Sequence, residues 1–141
     1  MNRTASAKWT GSLKDGKGTL TAPGGVLKAT PYSFATRFEN AAGTNPEELI
    51  AAAHAGCFSM AFSAKLGGAG FTPTSIETTA TLSLDQVGGG FEITAIHLDT
   101  VGVVPKLDAA KFQQIAEDAK ANCPVSKVLK AKITMKATLK S

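Results

Sequence analysis

Apolar and polar residues alternate along two stretches of the chain, 75–85 and 91–104, on either side of Gly88-Gly89-Gly90. Successive side chains of a strand point to opposite faces, so the two stretches predict a long hairpin with one face turned to a core. Three shorter strand-like runs lie nearer the start, at 5–9, 18–21 and 32–38, parted by the turn formers Asp15-Gly16 and Pro23-Gly24-Gly25. They predict a small antiparallel sheet. Between these groups the period changes. Gly43-Thr44-Asn45-Pro46-Glu47-Glu48 supplies a capping asparagine, a proline at the first helical position and two acids in the first turn. A helix over 49–66 follows, stopped by Gly67-Gly68. Its side chains are small (Ala51, Ala52, Ala53, Ala55, Gly56, Ser59), and because an interior glycine costs ~1 kcal/mol against alanine, Gly56 implies a close neighbour. A second helix starts at a capping Asp108 and carries Phe112, Ile115, Ala116 and Ala119 on one face as far as Ala121. Asn122-Cys123-Pro124 breaks it, a short helical turn follows over 125–129, and a strand over 133–139 closes the chain. The order strands, helix, strands, helix, strand, with no internal repeat or flexible linker, gives the α+β class in a single domain spanning 1–141.

Composition narrows the function classes. A chain of 141 residues, 43% hydrophobic and 18% charged, is long enough for one domain with a real core. The net charge of +4 and pI of 9.2 invite a nucleic-acid reading. The lysines are scattered, however, and their one concentration (Lys127, Lys130, Lys132, Lys136, Lys140) has no interleaved aromatics, so no nucleic-acid partner is expected. Met1 to Lys8 holds no apolar core of the length a secretory signal needs. The weakly charged stretch 49–64, interrupted by His54 and Ser59, falls short of the ~20 apolar residues of a membrane span. The expectation is a cytoplasmic protein without a membrane partner, with 49–64 as a buried helix.

Only two cysteines occur, 66 positions apart, a spacing that matches neither a zinc site nor a small disulfide scaffold. No metal and no cofactor are expected. In a reducing cytoplasm the pair is either structural and free, or catalytic. Cys57, inside the central helix, taken alone reads as a small buried hydrophobe. Cys123 sits at the start of a helical turn, where unpaired N–H groups and the helix dipole favour a thiolate. Arg37 in the third predicted strand and Glu47 at the second helical position each read alone as surface charges. Together the four offer what peroxide reduction requires: a nucleophilic thiolate, a permanent cation to lower its pKa and polarise the peroxide, a carboxylate to hold that cation, and a second thiol. His54, three residues before Cys57, admits a Cys/His hydrolase instead. No Gly-x-Ser-x-Gly elbow is present, and Gly67-Gly68-Ala69-Gly70 lacks the Gly-Lys-Ser/Thr ending of a phosphate loop.

Gly43-Thr44-Asn45-Pro46-Glu47-Glu48-Leu49-Ile50-Ala51-Ala52-Ala53-His54-Ala55-Gly56-Cys57-Phe58-Ser59-Met60, together with Asn122-Cys123-Pro124-Val125-Ser126, resembles the OsmC/Ohr family. The wording His-Ala-x-Cys-Phe-Ser-Met resembles its osmotically inducible protein C branch rather than the organic-hydroperoxide-resistance branch. The likeness extends upstream to Pro31-Tyr32-Ser33-Phe34 and Arg37-Phe38-Glu39, and downstream to Phe71-Thr72-Pro73-Thr74-Ser75-Ile76. It implies an intertwined homodimer with antiparallel sheets wrapped around two long central helices. It also implies thiol-dependent reduction of organic hydroperoxides, with a lipoyl-type dithiol as the regenerating reductant. By position, Cys57 matches the peroxide-attacking cysteine, Cys123 the resolving cysteine that forms a disulfide with it, Arg37 the activating arginine and Glu47 the partner of that arginine.

Glu47 and Cys57 are ten residues apart on the predicted helix, about 15 Å along its axis, so they cannot touch within one straight helix. If Arg37 and Glu47 serve the thiolate, they come mainly from a partner chain, and the small residues of each central helix let two subunits approach. Two other readings stand beside the peroxidase: a non-enzymatic, stress-related dimer that binds apolar molecules at its interface, and the Cys/His hydrolase that depends on His54.

Overall fold

The computed structural model describes residues 1–141, in two compact units, Met1–Leu49 and Ile50–Ser141. In the first, β1 (Ser6–Thr10), β2 (Lys17–Thr21) and β3 (Thr30–Tyr32) form an antiparallel sheet in that order. Gly18 on the middle strand lies opposite both Trp9 and Tyr32. A Cβ there would come within 2.4 Å of the Tyr32 ring and 2.7 Å of the Trp9 ring. Only glycine leaves room for the two rings to meet over the strand, at 5.5 Å between centroids.

The predicted third strand over 32–38 is a strand only at its first residue. From Phe34 to Phe38 the chain is a short helix, α1, so Arg37 sits in a helical turn. The cause is local: Ser33 accepts the Thr36 N–H, and the Thr36 hydroxyl accepts the Ser33 N–H. That reciprocal box satisfies two backbone donors that a new helix otherwise leaves open. Phe34 and Phe38, four apart, then stack at 4.9 Å.

The long helix α2 (Pro46–Gly68) starts as its sequence predicts, with Asn45 Oδ1 accepting the Glu48 N–H at 2.8 Å, and it runs through Gly67 and Gly68 rather than stopping before them. His54, Phe58, Phe62 and Leu66 form its buried stripe. The opposite face, including Ala52, Ala53, Gly56, Met60 and Ala64, is exposed in the single chain, with Met60 at 77%. Within the single chain the helix is thus buried on one face only, and no neighbour from the same chain approaches Gly56. Within one chain a Cβ there would meet nothing within 4 Å.

In the second unit, β4 (Ser75–Val87) and β5 (Gly90–Val103) form the predicted hairpin. β6 (Lys132–Lys140) lies beside β5 in parallel. This sheet is thus mixed, where antiparallel sheets were expected. A parallel neighbour needs a long crossover, which α3 (Ala109–Asn122) and α4 (Pro124–Val128) supply. Asp108 caps α3 as expected, accepting the Lys111 N–H at 2.9 Å. Phe58, Phe62 and Leu66 of α2 share one core with Ile96 and Leu98 of β5 and with Phe112, Ile115, Ala116 and Ala119 of α3. Each such large side chain contributes roughly 1.5–3 kcal/mol by burial. Phe62 meets Phe112 edge-on at 5.2 Å, and Gly102 on β5 leaves the space Phe112 needs, since a Cβ there would sit 2.7 Å from its ring.

Candidate active site

Cys57 precedes Phe58 of the buried stripe by one helical position, which puts its thiol at the edge of that face, half-buried. Cys123 is fully buried at the junction of α3 and α4. The junction is local chemistry. The Cys123 N–H closes α3 on the Ala119 carbonyl at 2.9 Å. Pro124 then has no N–H to continue it and holds Cys123 at φ −57° and ψ 128°. The bend turns the Cys123 side chain onto α2, where its sulfur lies 2.9 Å from that of Cys57. Both are free thiols. A disulfide, at about 2.05 Å between sulfurs, requires them to close by less than 1 Å.

Cys123 is the N-cap of α4, at the start of the last helical turn as the sequence predicts, but its sulfur accepts no capping bond there. The backbone N–H of Val125, in the first turn of α4, favours the thiolate of Cys57 instead. Against this, burial first and then the neighbouring Cys123 thiol push the Cys57 pKa above the usual thiol value. One chain's second unit therefore holds the two thiols together without making the Cys57 thiolate favourable. Val125 was missed because a backbone donor leaves no residue-type signal.

Arg37 and Glu47 are brought together in the first unit. Nε and Nη2 of Arg37 both reach Oε1 of Glu47, at 2.8 and 2.7 Å, and the guanidinium lies over the Phe38 ring at 5.1 Å. Oε2 of Glu47 is buried without a partner. A hollow of about 250 Å³ opens beside Arg37, lined by Trp9, Leu13, Tyr32, Ser33, Phe34 and Phe38. One fixed cation in an aromatic wall suits a ligand with an apolar body and a polar end. A strand over 32–38 does not make this wall legible, because it is the α1 helix that gathers Phe34, Arg37 and Phe38 on it. The four predicted residues thus form two pairs, Cys57 with Cys123 and Arg37 with Glu47, one in each compact unit.

His54 does not join Cys57. Its Nε2 lies 2.7 Å from Ser126 Oγ and its Nδ1 is buried without a partner. The hydrolase alternative therefore lacks the bond between base and nucleophile that it needs.

Two free thiols in contact, one on a long small-residue helix and one at a proline-broken crossover beside a mixed sheet, mark an α+β protein with a paired-thiol site. The sequence pattern of the family described as OsmC-like protein matches residues 39–138, and the chain belongs to that family. It is 57% identical over 141 residues to Peroxiredoxin OsmC of Escherichia coli strain K12, covering 100% of this chain and 99% of that protein. With the organic hydroperoxide resistance protein OhrB of Bacillus subtilis strain 168 it shares 34% over 124 residues, 87% of this chain and 89% of the relative. The crystal structure of the Bacillus subtilis OhrB superposes with a TM-score of 0.63 at 30% identity, over 97% of this chain and 98% of that one.

Proposed function

We propose that the protein is a thiol peroxidase that reduces organic hydroperoxides to alcohols. The observation that carries the reading is the 2.9 Å approach of two free sulfurs, and the peroxidase and hydroperoxide-resistance names of its relatives support it. The Cys57 thiolate attacks the outer peroxide oxygen, the O–O bond breaks, and the leaving alkoxide takes a proton to become the alcohol. Cys57 is left as a sulfenic acid. The Cys123 thiol then attacks the Cys57 sulfur, forming the disulfide and releasing the oxygen as water. A dithiol of lipoyl type exchanges with the disulfide, restoring both thiols and leaving as its own disulfide. No cofactor takes part, and the cytoplasm, with its reducing poise, is the compartment this cycle suits.

The working unit in this reading is a homodimer. Its support is the exposed small-residue face of α2, which lets a second copy approach closely. A further support is the raised pKa of Cys57, which calls for a cation. Arg37, steadied by Glu47, is that cation, supplied by the partner chain. Arg37→Ala is expected to slow the first step by about tenfold or more and to move the alkylation profile of Cys57 to higher pH. An unmoved profile would reduce Arg37 to a surface charge.

Thiol counting by mass tests the whole reading. One equivalent of cumene hydroperoxide is expected to remove both free thiols of the reduced protein. A non-enzymatic dimer that only binds apolar molecules keeps both, and that result would end the proposal.

A further inference from the structure

The proposed cycle uses two sulfurs and the Arg37 cation, and leaves unused a fully buried imidazole one turn from Cys57. His54 stands three residues before Cys57 on α2, and Ser126 three residues after Cys123 on α4. Residues three apart on a helix share a face. The contacts Cys57 to Cys123 and His54 to Ser126 are therefore consecutive rungs between the same two elements. A movement of α4 that opens one rung opens the other.

The arrangement resembles a serine with its base, yet Ser126 is 8% exposed and His54 0%, and no side chain orients Nδ1. A substrate has no way in, which leaves a positioning role. Burying an unpaired N–H is rarer in folded proteins than leaving an acceptor under-used. The ring proton therefore belongs on Nε2, which donates to Ser126 Oγ. Burial also keeps the imidazole pKa below its usual value, so the ring stays neutral.

α4 needs such a tie. Five residues are far too few for a helix to be stable by itself, and Pro124 interrupts the backbone bonding that would make it part of α3. Its buried side chain is Ser126, a polar group, and the partner of that group is His54.

We propose that His54 and Ser126 form a clasp that holds Cys123 against Cys57, positioning the resolving thiol for disulfide formation. The inference rests on the two-cysteine cycle proposed above. Once Cys57 carries a sulfenic oxygen, closure competes with a second peroxide that would take it to the sulfinic acid. A clasped α4 keeps the attacking sulfur at reacting distance, and a released one does not.

The test follows two steps separately in the full-length reduced protein mixed with cumene hydroperoxide. Dimedone trapping reports Cys57 sulfenic acid, and intact mass reports the disulfide. Ser126→Ala is expected to consume the first equivalent of peroxide near the wild-type rate. It should close the disulfide on the order of tenfold to a hundredfold more slowly, and accumulate sulfinic Cys57 at peroxide levels the wild type survives. His54→Leu behaves alike, whereas His54→Gln, which returns an N–H near the place of Nε2, recovers most of the closing rate. If His54→Leu does not fold, Ser126→Ala and His54→Gln decide. Closure at the wild-type rate in Ser126→Ala, or equal slowing of both steps, overturns the clasp while the cycle stands. A wild type that never closes the disulfide overturns the cycle, and the clasp with it.

Discussion

Cys57→Ser is expected to abolish peroxide consumption, with a loss of at least about a hundredfold in the rate of hydroperoxide disappearance under excess dithiol. The attacking group must be an anion or close to one, and a thiol ionises far more readily than a serine hydroxyl. A serine at this place would need a strong base. The imidazole on the same helix, three residues away, is spent on Ser126 and has no bond to the position. The swap removes little volume, and Phe58, Phe62 and Leu66 on the buried stripe of α2 remain as they are, so the variant should fold and the loss should be chemical. A melting curve close to the wild type beside a dead enzyme is the expected pair of results. More than a trace of activity in the folded variant would sink the mechanism.

Cys123→Ser is expected to give a different failure. The first equivalent of peroxide is still reduced, because the nucleophile and the Val125 N–H that favours its thiolate are retained. Turnover then stops. A serine hydroxyl cannot capture a sulfenic acid, so Cys57 passes to sulfenic and then sulfinic acid as peroxide rises, and no disulfide forms. The substitution also leaves a buried hydroxyl against a sulfur that bonds poorly, which costs about 1–3 kcal/mol of stability, so the measurement is best made well below the melting range. Intact-mass spectra after stepwise peroxide addition would show the oxygen adducts directly. If Cys57 in the variant stays unoxidised, or if the oxidised wild type carries a Cys57 to Cys57 bridge between chains, then Cys123 is not the resolver.

Both predictions concern residues that the sequence alone singles out, and the reasons differ. The chain's local signals were legible because their physics is local. Asn45-Pro46-Glu47-Glu48 caps and starts α2, Asp108 caps α3, the alternation around Gly88-Gly89-Gly90 makes the hairpin, and Asn122-Cys123-Pro124 breaks the crossover. In each case the residues that decide the conformation are neighbours along the backbone, so residue type and spacing suffice. The misreading of 32–38 belongs to the same level. The Ser33 and Thr36 box is a sequence signal, but it has a threonine where a glutamate or glutamine is usual, so the run reads as a strand.

What only the tertiary structure decided is whatever depends on elements far apart in the chain. No spacing rule brings thiols 66 residues apart to 2.9 Å. That approach follows from packing α3 on Phe58 and Phe62 of α2, which carries the proline break to the side of Cys57. The parallel seat of β6, the exposure of one face of α2 and the bond between His54 and Ser126 arise in the same way. So does the influence of the Val125 N–H on Cys57, where it favours the thiolate. Sequence determined which groups are present and where the backbone bends. Their partners were chosen by the burial of apolar faces, a free energy that depends on area removed from water and not on position along the chain.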